Sequence, residues 1–110
     1  MTTVVFSHGQ ESGPWGTKIR AMADLATSMG CAVQSIDYQG IADPRDRVRK
    51  LLDEAAGIDD ALVLVGSSMG GHVATAAADT LGAAGLFVLA PAYYMEGYES
   101  LTPDPPSMPT

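Results

Sequence analysis

Cysteine occurs once among the 110 residues, at Cys31. That count excludes an internal disulfide framework and a cysteine-based zinc site. Without a histidine partner beside it, Cys31 reads as a small hydrophobe at the start of a strand. Long apolar runs are also missing. No stretch approaches the roughly 18 residues of a membrane-spanning helix, so no membrane partner is expected. Met1-Thr2-Thr3 leads straight into Val4-Val5-Phe6, with no basic start, apolar h-region or cleavage site. Together with the lone cysteine, this predicts a cytoplasmic protein. Basic residues are few, 6 Lys and Arg against 13 Asp and Glu, for a net charge of −7. That balance argues against nucleic acid as a partner, because phosphate neutralisation needs clustered cations. Arg45, Arg47, Arg49 and Lys50 do cluster, but Asp46, Asp53 and Glu54 are interleaved with them. The group reads as a solvated helix face.

Hydrophobic residues make up 46% of the chain, and sixteen of them are alanine. The length bounds the chain to one small domain, whose core must rest on a limited set of Val, Leu, Ile and Phe. At 17% charged residues it is not a disordered acidic chain. Thr2 to Phe6 reads as a buried strand ending at Ser7-His8-Gly9. Gln10 to Gly16 is a Gly/Pro loop. Ile19, Met22, Ala23, Ala26 and Met29 form a helical stripe stopped by Gly30. Ala32 to Ile36 is a second strand. Asp43-Pro44 opens a helix as N-cap and first helical residue, with Val48, Leu51, Leu52 and Ala55 along one face. Ala61 to Val65 is continuously apolar, as in a parallel strand buried on both sides. Gly66 to Gly71 reads as a turn, Val73 to Leu81 as an Ala-rich helix and Leu86 to Leu89 as a fourth strand.

This β-α-β-α-β-α-β pattern predicts an α/β fold. It is a doubly wound parallel sheet of about four strands, in the local order 2-1-3-4. Residues 1–92 form the core. Residues 93–110 form an irregular Pro-rich tail, since four of the last eight residues are proline and cannot serve a central strand.

The chemistry concentrates after the third strand, at Gly66-Ser67-Ser68-Met69-Gly70-Gly71. The segment matches G-x-S-x-G with Ser68 central, directly between a strand and a small-residue helix. That context is the one a nucleophile elbow requires. The alternative is a tight turn that needs glycine and carries an incidental serine. Gly66 and Gly70 would remove side chains that collide across so sharp a turn. The Met69 amide, at the helix start, is placed to donate to a developing oxyanion. In the order 2-1-3-4 the loop after the first strand lies next to the elbow. The Gln10 amide is then the natural second oxyanion donor, and Gly9 allows close backbone approach. Neither G-x-G-x-x-G nor a P-loop occurs, which disfavours a nucleotide site.

Ser7-His8-Gly9, the Pro14-Trp15-Gly16-Thr17-Lys18 helix entry and the Gly66–Gly71 hexapeptide together resemble the small α/β-hydrolases. The resemblance is to compact bacterial esterase-like members of the YqiA type, and it covers residues 2 to about 92. It implies a serine hydrolase cleaving a small-molecule carboxylic ester or thioester. Ser68 would be the nucleophile, with the Gln10 and Met69 backbone amides as the oxyanion hole. No cofactor and no metal are implied. Leu89-Ala90-Pro91-Ala92 resembles the family segment leading toward the substrate pocket; Tyr93, Tyr94 and Tyr98 read either as lining an acyl pocket or as covering the sheet edge. His8 would support the oxyanion loop.

One departure matters. The family triad runs serine, acid, histidine, and only His72 follows Ser68, four residues on and along the elbow helix. Glu96, Glu99 and Asp104 read as loop carboxylates rather than as the triad acid. The acid and histidine are therefore expected beyond residue 110. The fourth strand would be an exposed edge, open to self-association or to a C-terminal fragment. Two rival readings are a catalytically inactive fragment or interaction module of the same fold, and a flavodoxin-like ligand-binding domain.

Overall fold

Apolar strands alternate with helices along the chain: β1 (Thr2–Ser7), α1 (Thr17–Ser28), β2 (Ala32–Ile36), α2 (Pro44–Ala55), β3 (Ala61–Ser67), α3 (Met69–Leu81) and β4 (Gly85–Leu89). The structure, a computed structural model, describes residues 1–10 and 12–92. The expected tail over 93–110, with Tyr93, Tyr94, Tyr98, Glu96, Glu99 and Asp104, lies outside the described residues. The strands form one sheet in the order β2-β1-β3-β4, with every pair parallel. Val5 sits between Gln34 and Leu64 in register. The predicted doubly wound order is the observed one. No helix among the described residues is long and apolar enough to cross a membrane.

Alternating strand residues divide the core between the two faces of the sheet. Val5, Ile36, Leu64 and Leu86 pack with Leu51 and Ala55 of α2 and with Val73, Ala74, Ala77 and Ala78 of α3. Alanine on α3 lets that helix lie close to the sheet, and all three of its core alanines are fully buried. On the other face Val4, Phe6 and Val65 meet Ile19 and Ala23 of α1. This second cluster is smaller. Phe87 is in register with Val65 on the edge strand β4 and is 54% exposed.

Asp43 caps α2 as predicted, its carboxylate accepting from the Arg45 amide at 2.9 Å, with Pro44 the first helical residue. Three expectations need correction. α3 begins at Met69, not Val73, so Gly70 and Gly71 are helical. These glycines serve close approach rather than turn flexibility. Met29 is 73% exposed, because the chain leaves helical geometry at that residue before the left-handed Gly30. Arg47 belongs to the buried stripe of α2, with Leu51 and Ala55; only Arg45 and Arg49 of the basic cluster are on the solvated face.

Candidate active site

A single residue, Ser68, connects β3 to α3. Its backbone takes φ 56°, ψ −119°, a region that L side chains rarely adopt and that holds about 1–3 kcal/mol of strain. The surroundings impose it. The Ser68 amide donates to Leu89 O at 2.9 Å, and the Ser68 carbonyl accepts from Gly71 at 3.0 Å and Ala92 at 2.9 Å. The chain leaving β4 thus holds the turn from both sides. The Ser68 side chain does not cap the helix, and the residue is exposed.

Glycine is required here by distance. A Cβ on Gly66 would stand 2.2 Å from Gly70 O, the collision across the turn that the motif predicts. A Cβ on Gly70 would stand 1.9 Å from Ser7 O. That clash is with the exit of β1, so Gly70 sets the spacing between the two loops of the site. Gly71 faces Pro91, at 2.8 Å for the same construction.

The loop after β1 arrives beside Ser68. A Cβ on Gly9 would lie 3.3 Å from Ser68 Cβ. Gly9, Gln10, Ser12, Ser67 and Ser68 line one open cleft of about 390 Å³. Met69, at the first position of α3, is buried. An N–H at that position has no intrahelical acceptor and lies at the positive end of the helix dipole. The structure therefore brings Gln10, Ser68 and Met69 to one place on the carboxyl edge of the sheet.

Both histidines are buried, and neither lines that cleft. The Tyr38 amide donates to His8 Nε2 at 2.8 Å, and His8 Nδ1 bonds Gly9 O at 2.6 Å. A carbonyl only accepts, so the proton is on Nδ1 and the Nε2 lone pair is used by Tyr38. His8 is thus a neutral, fully engaged ring. Burial holds its pKa below the ordinary value of 6.5, against the opposing Gly9 hydrogen bond. His72 faces away from the elbow, into a cavity of about 230 Å³ between α2 and α3, with Pro44, Arg45, Val48 and Ala76.

Sequence reasoning missed two participants. Tyr38 is fully buried, and its hydroxyl meets Ser7 Oγ at 2.8 Å; burial pushes its pKa well up. Arg47 is 1% exposed. Its Nε donates to Ile41 O at 2.6 Å, and its Nη1 reaches His8 O at 3.3 Å and Gly9 O at 3.5 Å. The guanidinium carbon stands 5.3 Å from the Tyr38 ring centre. A signal existed for Arg47: counting back one turn from Leu51 and Ala55 lands on it. Among the described residues, no group of three or more His, Cys, Asp or Glu could hold a metal ion.

The uncharacterised protein family UPF0227 matches residues 3–104. The chain belongs to this family. Among curated proteins, no sequence relative matches it. Solved structures resemble it strongly. A candidate hydrolase of the α/β superfamily from Xanthomonas campestris pv. campestris is 29% identical, with a TM-score of 0.77 over 84% of this chain and 60% of that one. A candidate YdeN-like hydrolase from Pectobacterium atrosepticum is 19% identical, with a TM-score of 0.74 over 99% of this chain and 60% of that one. An α/β serine hydrolase without a lid, from Xanthomonas campestris, is 20% identical, with a TM-score of 0.64 over 98% of this chain and 56% of that one. The UPF0227 chain therefore has the α/β-hydrolase fold. It spans about 60% of the length of these structures.

Proposed function

We propose that this UPF0227 chain carries the nucleophile and oxyanion hole of a serine hydrolase that cleaves a carboxylic ester or thioester. The observation that carries the reading is the strained φ of 56° at an exposed Ser68, on a one-residue strand-to-helix turn. Strain of this kind is retained where the surroundings enforce it, and it presents the hydroxyl above the sheet edge. Ser68 Oγ attacks the carbonyl carbon, and the C–O or C–S bond to the leaving group breaks on collapse of the tetrahedral intermediate. The Gln10 and Met69 amides stabilise the intermediate oxyanion. Water then releases the acid from the acyl-enzyme.

A serine hydroxyl needs a base within about 3 Å. His8 is engaged on both nitrogens and His72 faces another cavity, so the reading takes the triad acid and histidine from sequence beyond these 110 residues. Without them the oxyanion hole supports residual catalysis, roughly 10³–10⁴ over water in triad-deleted enzymes. Purified chain is expected to be labelled at Ser68 by a fluorophosphonate probe, and Ser68→Ala is expected to take no label. A label that survives Ser68→Ala would remove the nucleophile assignment. Among the described residues neither histidine lines the cleft at Ser68, which favours one second reading, an inactive interaction module of the same fold. That reading gains if wild type and Ser68→Ala are equally silent toward esters and toward a fluorophosphonate probe.

A further inference from the structure

A trans peptide places its C=O and N–H on opposite sides of one plane. The carbonyl of Gly9 and the amide of Gln10 belong to the same peptide. Whatever holds the Gly9 oxygen therefore also aims the Gln10 N–H. Three groups reach it: the buried His8 Nδ1 at 2.6 Å and Arg47 Nη1 at 3.5 Å, and the Ser12 hydroxyl at 3.5 Å. The same Arg47 nitrogen takes the preceding carbonyl, His8 O, at 3.3 Å. Its Nε holds Ile41 O, in the loop leaving β2. The backbone of Tyr38, in that same loop, holds the other side of the His8 ring. Arg47 thus ties the loop carrying Gln10 to its neighbour from inside helix α2.

This arrangement is expensive for stability alone. Arg47 is 1% exposed, and among the described residues no carboxylate pairs with it. Its partners are backbone carbonyls and the Tyr38 ring. A buried cation without an anion carries a desolvation cost that an apolar side chain at the same helical position avoids. Arg47 and Gln10 also line one recess of about 220 Å³, with Gly40, Ile41 and Ala42. The positive charge therefore stands behind the loop that borders Ser68.

We infer that Arg47 is a positioning residue for the oxyanion hole: it orients the Gly9–Gln10 peptide so that the Gln10 amide faces Ser68. Its positive charge strengthens that amide as a donor by polarising the peptide. The inference rests on the Ser68–Gln10 reading of the cleft, and the test separates the two.

The test uses the isotope-labelled chain as wild type, Arg47→Met and Arg47→Lys. The free chain is read first, through the Gly9 carbonyl ¹³C shift and the Gln10 amide shift and exchange rate. In Arg47→Met the Gly9 carbonyl and the Gln10 amide proton should both move upfield and Gln10 should exchange more slowly, as a less polarised N–H is less acidic, while Val65 and Ala74 stay unchanged as markers of the fold. Arg47→Lys should fall between the two, since it keeps the charge but loses the fork geometry. If Arg47→Met does not fold, Arg47→Lys carries the comparison.

Phenylboronic acid, which forms a tetrahedral adduct on serine, is then added. Wild type should show a downfield Gln10 amide proton, and the variants should bind at least tenfold more weakly. A wild-type Gln10 that ignores the boronate overturns the Ser68–Gln10 reading, whatever Arg47 does. A wild type that responds, beside folded variants that bind equally tightly and keep both resonances, overturns the role of Arg47 alone.

Discussion

The connection from β3 to α3 is one residue long, whereas that from β1 to α1 takes the nine residues 8–16. Both end at the same cleft beside Ser68. The short connection is set by backbone collisions, with Gly66 against Gly70 and Gly70 against Ser7. No side chain holds it. The long connection is held by groups from elsewhere, the Arg47 side chain on α2 and the backbone of Tyr38 after β2. One half of the site is thus fixed by backbone groups, those of Ser7, Leu89 and Ala92 closing on the turn, and the other by buried polar groups 30 to 39 positions away. Substitutions in the two connections should therefore fail differently.

The largest effect is expected at Gly70. Gly70→Ala places a Cβ 1.9 Å from Ser7 O, backbone against backbone, where neither side yields cheaply. A loss of roughly 3 kcal/mol or more is expected, read as a fall in the urea midpoint. Gly9→Ala is the counterpart in the long connection. Its Cβ meets Ser68 Cβ at 3.3 Å, with Ser12 Oγ and Ser67 O at an ordinary 3.6 Å. Stability should change by less than about 1 kcal/mol, while boronate binding at Ser68 is lost. Equal stability losses in the two variants would erase the distinction between the connections.

Next is Tyr38→Phe, which leaves the buried Ser7 hydroxyl without its 2.8 Å partner. The expected loss is about 1–3 kcal/mol in chemical denaturation. Adding Ser7→Ala should recover part of it, because removing both partners is less costly than stranding one. A double variant no better than the sum of the singles would show that the pair is not coupled.

Ser68→Gly should stabilise the fold by about 1 kcal/mol, by relieving the positive φ, while abolishing reaction with phenylboronic acid. A melting temperature that stays level or falls would mean the turn is not strained.

The smallest effect expected is a pH dependence through His8. Its folded pKa lies below the unfolded value of 6.5, so the unfolded chain binds more protons between the two. The contribution of neutral His8 is complete above pH 6.5 and is lost as pH falls through the folded pKa. Protonating Nε2 also removes the acceptor for the Tyr38 amide. Denaturation at pH 7.5 and 5.5 should show lower stability in acid, and His8→Gln should flatten the difference.

The strands, the helices and the elbow were legible because each depends on residues close in sequence. Periodicity marks the buried faces, Asp43-Pro44 marks a helix start, and Gly-x-Ser-x-Gly between a strand and a helix marks a turn with one steric solution. The order 2-1-3-4 followed from the doubly wound pattern, in which the first and third strands are neighbours, and placed Gln10 beside Ser68. Arg47 was misread because charge pattern alone sees an arginine among acids as solvated. Its i, i+4 alignment with Leu51 and Ala55 carried the opposite signal. The tautomer of His8 was out of reach, since it depends on an amide 30 residues away.

The periodic placement of apolar residues and the glycines at 66, 70 and 71 are enough to dictate the sheet, the helices and the strained serine. Steric exclusion acts over a few atoms, so a glycine marks it in the sequence even where, as between Gly70 and Ser7, the partner is distant. Which buried polar groups meet was decided only when β1, β2 and α2 came together. A guanidinium, an imidazole and a peptide carbonyl find one another by long-range packing, and hydrogen bonds between distant segments leave no fixed spacing in the chain.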